Sequence, residues 1–424
     1  MSGYRSVTAS FTAISPAYTF VTLAGSANAG SQDGAGSAAG FNFEAGAASD
    51  KAGNVYIADT YNSTIRKISP AGVVTTVAGS AGIPGNANGV GSAARFLWPN
   101  GVSVDEGGTV YVADTYNNTI RKITPARSVS TLAGAAGIAG FADGVAGAAR
   151  FSQPGAVAVD SNGVLYVADG GNNSIRRITP GGVVGTLAGW TNAGYADGVG
   201  TNALLNGPAG VAVDGMGNVF VADTGNNTIR KIATNGVVST LAGLAGTAGH
   251  ADGVGTNAQF NGPAGVALDA AGNVFVADTY NYTIRRVASD GTVTTIAGAP
   301  GQYGYRDGAS TNALFDLASG IAVDGRGNVY VADTDNNVIR KGWWSGTLPE
   351  VVLHSPRVTG DQVQLDFTLR TGPGGGFTLM SAAQAGGPWG PDATAVLTTN
   401  VLGVSYSFTT WPGVSAQFYR IRSP

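Results

Sequence analysis

The sequence VADTYNNTIRK, residues 112–122, decides the fold, because near copies of it appear at five other places in the chain. Its Asp recurs at intervals of 54 or 55 residues, and an Arg follows seven residues later in every copy. The six pairs are Asp59 and Arg66, Asp114 and Arg121, Asp169 and Arg176, Asp223 and Arg230, Asp278 and Arg285, and Asp333 and Arg340. Periodicity of this length predicts an array of six equivalent structural units.

Each repeat is predicted to form four short strands. In the second copy these are residues 101–105, 110–114, 119–124 and 128–133, which are rich in β-branched residues and bounded by turn residues. TYNN, between the second and third strands, predicts a tight turn, since Asn tolerates left-handed backbone. No 3.6-residue apolar period is visible, so the repeat predicts the antiparallel blades of an all-β propeller.

The two ends of the repeat array predict how the ring closes. The fourth strand ends in T-x-A-G in five repeats, and a sixth copy, TLAG, lies at residues 22–25, before the first complete repeat. After the last repeat, GWWSG stands where a fourth strand would begin. We therefore expect a strand at residues 18–24 to pair with residues 338–341 and to complete a six-bladed β-propeller, because closure leaves no blade with an unpacked face.

The stretch PAGVALDAAGNVFVADTYNYTIRR, residues 263–286, and the G-x-V-x-T-x-A-G pattern that follows it resemble the NHL repeat. The resemblance covers roughly residues 17–342 and implies a six-bladed propeller. NHL propellers serve as platforms that bind proteins, RNA or glycans, as extracellular sensor domains and occasionally as lyases. The resemblance is therefore specific for the fold and leaves the function open.

The repeated polar residues are predicted to form the frame of the fold. A catalytic group is needed once, in one environment, whereas these Asp, Asn and Arg residues appear six times in equivalent environments. We expect Asp and Asn to cap turns and Arg to bind neighbouring backbone or carboxylate groups. A third repeated position precedes Gly in every repeat: Asp33, Asn88, Asp143, Asp197, Asp252 and Asp307.

Composition limits the kinds of partner. The net charge is −3 and no run of basic residues occurs, which argues against nucleic acid and anionic membranes as partners. The chain has no Cys, so disulfides and thiolate chemistry are excluded. No apolar stretch is long enough for a membrane-spanning helix. The first 18 residues lack the apolar core of a signal peptide.

Binding is expected on the face that carries the second-to-third turns and the connections of about 20 residues between blades, because long loops on a rigid scaffold usually carry function. Aromatic residues and one His are concentrated there: Tyr61, Trp98, Tyr116, Phe141, Trp190, Tyr195, His250, Tyr280, Tyr303 and Tyr305. Such rings suit stacking on sugars or anchoring a protein partner. The alternative is that they pack the long loops onto the blades, and this is also what we expect of His250.

Three carboxylates outside the frame, Glu44, Asp316 and Asp335, lie in the first and sixth repeats, which are neighbours in a closed ring. They could bind Ca²⁺ through oxygen ligands or share a proton for acid–base chemistry. The alternative is a degenerate seam where the ring closes. No other cofactor is indicated.

The chain is expected to comprise an N-terminal extension at residues 1–16, the propeller at residues 17–345 and a small C-terminal β-sandwich at residues 346–424. The sandwich is indicated by alternating segments such as QVQLDFTL, residues 362–369. Residues 5–15 also alternate, which predicts a further strand of the sandwich or a strand donated to another molecule. The ending FYRIRSP resembles C-terminal modules of large secreted bacterial proteins and favours the cell exterior or surface.

These observations favour a non-enzymatic binding or scaffold protein that presents the long-loop face to a protein or glycan. Two alternatives stay open. One is the structural subunit of a filament or surface layer, assembled through the N-terminal strand. The other is a Ca²⁺-assisted hydrolase or lyase at the channel mouth.

Overall fold

The computed structural model describes residues 17–344 throughout and, beyond them, only eight strands. Residues 18–344 form one compact unit. Within it, six antiparallel sheets follow one another in a ring, because each innermost strand contacts the next and the sixth contacts the first. The prediction of a six-bladed β-propeller is confirmed.

Each blade has four principal strands, numbered here from the channel outwards. The innermost strands are Glu44–Ser49, Val102–Val104, Pro154–Val159, Gly210–Val213, Pro263–Leu268 and Ile321–Val323. The second strands are Val55–Asp59, Val110–Asp114, Leu165–Asp169, Val219–Asp223, Val274–Asp278 and Val329–Asp333. The third strands are Thr64–Ile68, Thr119–Ile123, Ser174–Ile178, Thr228–Ile232, Thr283–Val287 and Val338–Trp344. The outer strands are Val73–Gly79, Ser128–Gly134, Val183–Gly189, Val237–Ala242, Thr292–Ala297 and, in the sixth blade, Tyr18–Gly25.

A fifth, two-residue strand at the rim of every blade corrects the expectation of four. These rim strands are Gly34–Ala35, Gly89–Val90, Gly144–Val145, Gly198–Val199, Gly253–Val254 and Gly308–Ala309. Each lies in the long connection before its blade and pairs with the outer strand of that blade. A two-residue strand is too short to show alternation, so the sequence pattern gave no sign of it.

Short 3-10 helices complete the connections, and the described residues contain no α-helix. One set follows the rim strands: Gly36–Ala38, Gly91–Ala93, Ala146–Ala148, Gly200–Asn202, Gly255–Asn257 and Ser310–Asn312. The other forms the second-to-third turns of blades two to six: Thr115–Asn117, Gly170–Asn172, Thr224–Asn226, Thr279–Asn281 and Thr334–Asn336. Asn118, which ends the turn in the second blade, has a φ of 55°, so the predicted left-handed turn residue is confirmed.

The N-terminal strand closes the ring as predicted. Tyr18–Gly25 pairs antiparallel with Val338–Trp344, with Val21 opposite Lys341 and Gly25 opposite Val338. The hydrophobic core lies between neighbouring blades. Phe96 of the second blade, for example, packs in one buried cluster with Tyr56 of the first.

The repeated polar residues form a buried frame. In the first blade, Oδ2 of Asp59 accepts hydrogen bonds from Nη1 of Arg66 at 2.6 Å and from Nδ2 of Asn62 at 2.9 Å. Its Oδ1 accepts the backbone N–H of Asn42 at 2.9 Å, and Nη2 of Arg66 donates to Asp33 at 2.9 Å. The buried ion pair recurs as Asp114 with Arg121, Asp169 with Arg176, Asp223 with Arg230, Asp278 with Arg285 and Asp333 with Arg340. The frame thus ties the tight turn to the long connection in every blade.

In the C-terminal region, eight strands pair into two antiparallel sheets. One sheet contains Val351–Leu353, Arg357–Thr359, Gln362–Leu369, Val396–Val401 and Ser405–Thr410, and the other contains Thr378–Ala382, Gly390–Pro391 and Phe418–Arg422. The packing of these sheets as a sandwich and the domain limits stay predictions. The N-terminal extension, residues 1–16, lies outside the described residues. Its predicted role as a sandwich strand or a donated strand stays a prediction.

Candidate functional site

The centre of the ring is a channel with a wall of backbone and small side chains. A cavity of about 260 Å³ is lined by the innermost strands of all six blades. A β-carbon on Gly265 would lie 2.1 Å from the carbonyl oxygen of Ser319 in the next blade, so only glycine permits this close approach. Gly46 and Gly210 meet the next blade at the same distance. Side-chain chemistry is therefore concentrated at the mouth of the channel.

Two residue positions in each blade lie at this mouth. One lies two residues after the buried Phe or Leu of the long connection, and the other is the second residue after the frame Asp. Their loops are joined by a backbone hydrogen bond, as from Tyr61 N to Asn42 O at 3.1 Å. In blade order the residue pairs are Phe43 and Tyr61, Trp98 and Tyr116, Gln153 and Gly171, Gly207 and Gly225, Gly262 and Tyr280, and Leu317 and Asp335. These mouth positions vary where the frame repeats, which makes them candidates for specificity.

Four aromatic residues of blades one and two form a continuous group, called here the aromatic cluster: Phe43, Tyr61, Trp98 and Tyr116. The rings of Phe43 and Tyr61 are stacked at 4.5 Å, those of Tyr61 and Trp98 lie 5.5 Å apart, and those of Trp98 and Tyr116 meet edge to face at 4.7 Å. Tyr61, Trp98 and Tyr116 are exposed, at 47%, 39% and 48%. The loops have a separate buried anchor in Phe41 and Phe96, so the cluster exposes more apolar surface than loop packing requires.

Two members of the cluster are held in the left-handed backbone region. Phe43 has a φ of 56° and Trp98 a φ of 49°, whereas the fourth and fifth blades have Gly207 and Gly262 at this position. A bulky residue in this conformation is strained by about 1–2 kcal/mol. Gln153 and Leu317 have φ of 48° and 47° at the same position, so the left-handed backbone is a property of this loop in every blade, and the aromatic rings occupy it at a cost.

Asp316 and Asp335 of the sixth blade, called here the acidic pair, lie beside the aromatic cluster. The backbone N–H of Asp335 donates to Asp316 O at 3.2 Å. Burial raises the pKa of both carboxyls, and the negative charge of Asp335 raises that of Asp316 further. The backbone N–H of Phe43 donates to Oδ1 of Asn337 at 3.0 Å, and Nδ2 of Asn337 donates to Asp335 O at 3.4 Å. The acidic pair and the cluster therefore meet at one boundary between blades.

Glu44, the third carboxylate of the predicted calcium site, is buried beneath the mouth. Its side chain is completely buried and neither carboxylate oxygen has a hydrogen-bond partner. Burial raises its pKa well above the usual range, and the charges of Asp59, Asp333 and Asp335 add to this effect. Within the described part of the chain, no group of three His, Asp or Glu side chains is arranged to hold a metal ion. The raised pKa favours the neutral carboxylic acid, whereas Ca²⁺ binds ionised carboxylates.

A raised pKa is not specific to the mouth. Burial raises the pKa of Asp114 and of Asp333 to about 6, although Arg121 and Arg340 favour the charged forms. The same direction is found at the frame Asp residues of the other four blades. A shift repeated around the ring is a property of the buried frame, so it does not mark a catalytic group here.

The remaining predicted aromatic residues divide into two groups. Phe141, Tyr195 and Tyr305 lie over the frame arginines, with the guanidinium carbon 4.8, 4.9 and 5.6 Å from the ring centroid. Tyr195 Oη also lies 2.8 Å from Thr240 Oγ1, so this group packs the long connections onto the blades. The second group is exposed outside the cluster: Trp190, Tyr280 and Tyr303, at 46%, 58% and 67%. Tyr280 lines the mouth of the cavity.

His250 is an exposed residue of the connection that leads into the fifth blade. Phe43, in contrast, is not among the residues predicted for the site, because the sequence does not show its stacking on Tyr61. Two signals were available: its place two residues after the buried Phe41, and Gly207 and Gly262 at the equivalent position, since Gly favours left-handed backbone.

The helices of the described region are 3-10 turns, and none has the length and apolar character to cross a bilayer.

Comparison with known proteins agrees with this geometry. Residues 96–123, 151–178, 205–232 and 260–286 match the NHL repeat. NHL repeat-containing protein 2 of Homo sapiens is 30% identical over 295 residues, which cover 61% of this chain and 40% of that protein. The chain thus spans less than half the length of this relative.

Solved structures from Bacteroides thetaiotaomicron share the fold. One is a structural genomics protein of unknown function, 23% identical, with a TM-score of 0.61 and coverage of 77% of this chain and 76% of that one. Another is an auxiliary nutrient binding protein, 16% identical, with a TM-score of 0.59 and coverage of 78% and 77%. At these identities the likeness is evidence for the fold alone.

Proposed function

We propose that this NHL-repeat propeller is a non-enzymatic binding or scaffold protein, which holds a protein or glycan partner at the channel mouth on its long-loop face. The observation that carries the proposal is the aromatic cluster: four contiguous rings, largely exposed, at the positions where the repeats differ. Exposed Trp and Tyr supply large contact area at low entropic cost, which suits a binding surface. The location proposed is the cell exterior or surface, supported by the resemblance of the FYRIRSP ending.

The geometry gives less support to catalysis at the mouth. The channel wall is built mainly from Gly, Ala, Val and backbone carbonyl groups, its hydroxyl groups include a hydrogen-bonded pair of Ser319 and Thr334, and burial raises the pKa of Glu44. Asp316 and Asp335 are both on the surface side of the mouth. These groups do not combine a nucleophile, a base and a donor for a developing charge, as hydrolysis would require.

The experiment is a binding screen of the intact protein on a glycan array and on a peptide array. Wild type and Trp98→Ala are compared, with Trp190→Ala as the matched control, since Trp190 is equally exposed but lies outside the aromatic cluster. We expect binding that is lost with Trp98→Ala and retained with Trp190→Ala. Binding that is unaffected by Trp98→Ala would contradict the proposal.

A further inference from the structure

We infer that the aromatic cluster and the acidic pair together recognise a cationic group, and that the partner at this mouth is a protein segment presenting Lys or Arg. The inference rests on the proposed function and chooses between its two partner classes. Three features of the mouth carry it: the closeness of the aromatic and acidic residues, the lack of a counter-charge, and the angles between the rings.

The aromatic and acidic residues form one surface. The side chain of Asn337 accepts a hydrogen bond from the backbone N–H of Phe43 and donates one to the backbone carbonyl of Asp335. It therefore connects the loop that carries Phe43 to the turn that carries Asp335. Phe43 and Leu317, which directly follows Asp316, line the same cavity. We place the bound group at this boundary, between the rings of the first and second blades and the carboxylates of the sixth.

The acidic pair lacks a positive partner within the protein. Among residues 17–344, the ion pairs are those of the frame and an exposed pair between Lys51 and Glu106, and none involves Asp316 or Asp335. Arg340 of the same blade forms its ion pairs with Asp333 and Asp307. A bound cation would relieve the repulsion between the two carboxylates.

The ring angles favour a compact cation over a flat sugar. The interplanar angle is 10° between Phe43 and Tyr61, 47° between Tyr61 and Trp98, and 75° between Trp98 and Tyr116. Rings inclined to one another in this way do not form a single flat platform. Ammonium and guanidinium groups bind the faces of such aromatic groups through cation–π attraction, and neighbouring carboxylates add charge complementarity.

The test is calorimetric titration of the intact protein with the peptide acetyl-Gly-Lys-Lys-Gly-amide and with the same peptide acetylated on both lysines. We expect the cationic peptide to bind at least about tenfold more tightly, which corresponds to about 1.4 kcal/mol. Trp98→Ala and Asp335→Asn should each weaken its binding by about tenfold. Asp290→Asn is the matched control, because Asp290 is an exposed carboxylate in the turn between the third and outer strands of the fifth blade.

Equal binding of the two peptides, or full binding by Asp335→Asn, would overturn the inference. If the cationic peptide fails while an array glycan binds in a manner that depends on Trp98, the inference falls and the proposed function stands. If neither peptide nor any array ligand depends on Trp98, both fail. The melting temperature of each variant checks that a loss of binding does not arise from unfolding.

Discussion

The carboxylate of Asp59 and the guanidinium of Arg66 form a 2.6 Å ion pair with both side chains completely buried. The chain contains a matched exposed pair, Lys51 with Glu106, at the same 2.6 Å separation. The two pairs have the same N···O distance, but one is buried and the other is exposed. A comparison of them therefore isolates the effect of burial.

We predict that Asp59→Asn lowers the free energy of unfolding by about 3–5 kcal/mol, because it removes the fully buried one of the two carboxylates that pair with the Arg66 guanidinium. Glu106→Gln should change it by no more than about 1 kcal/mol, since water screens the exposed pair. Denaturant titration of both variants measures the difference. Equal effects would mean that the frame does not stabilise the ring through its buried charges.

Closure of the ring depends on Phe20, which is fully buried in the outer strand of the sixth blade and meets the ring of Phe315 edge to face at 5.3 Å. We predict that Phe20→Ala lowers the free energy of unfolding by about 3–5 kcal/mol through the cavity it leaves. Val21→Ala, in the same strand but only half-buried, is the control and should cost much less. If the two variants were equally stable, the N-terminal strand would not be packed as described.

Glu44 makes stability depend on pH. Its pKa is raised by burial in the folded protein, so the fold binds this proton more tightly than the unfolded chain does. The contribution to stability is therefore complete below the ordinary pKa of 4.5 and is lost as the pH rises towards the folded pKa.

We predict that Glu44→Gln, which mimics the neutral acid, becomes progressively more stable than wild type as the pH rises above the ordinary pKa of 4.5 towards the folded pKa. The difference should grow by up to about 1.4 kcal/mol for each pH unit below the folded pKa. Unfolding titrations at several pH values measure it, with the exposed Glu106→Gln as control. A difference that does not change with pH would show that Glu44 is not held neutral.

The strain at Trp98 predicts that the Gly variant is more stable than the Ala variant at this position, whereas the opposite order is expected at Trp190. Because Trp98 has a φ of 49°, Trp98→Gly should be more stable than Trp98→Ala by about 1 kcal/mol. At Trp190, whose φ is not positive, the Ala variant should be the more stable by about 0.5–1 kcal/mol. Thermal unfolding of the four variants tests this, and the same order at both positions would remove the argument from strain.

Sequence reasoning succeeded where a local pattern repeats. The second strand Val110–Asp114 matches its predicted bounds, and the copy of TLAG at residues 22–25 correctly indicated that the N-terminal strand completes the sixth blade. It also placed the carboxylates of the first and sixth repeats near one another. Periodicity carries such information because a feature that recurs in six repeats can be told apart from a chance feature of one repeat.

Sequence reasoning failed where the outcome depends on conformation or on solvent access. The stacking of Phe43 on Tyr61 leaves no trace in residue type, and its left-handed backbone is indicated only by Gly207 and Gly262 at the equivalent position of two other repeats. Burial raises the pKa of Glu44, and the position of this residue in the repeat does not reveal that its side chain is buried. The bonds of the frame likewise needed the register between strands, which links Asp59 to Asn42.

The central claim is that the mouth of the propeller is its binding surface, and the most direct measurement is the affinity of Trp98→Gly. Calorimetric titration would use the tightest glycan or peptide found on the arrays, with wild type and Trp190→Gly for comparison. The account predicts at least about tenfold weaker binding for Trp98→Gly in a folded protein, and binding within about twofold of wild type for Trp190→Gly. Unchanged affinity of Trp98→Gly would contradict it.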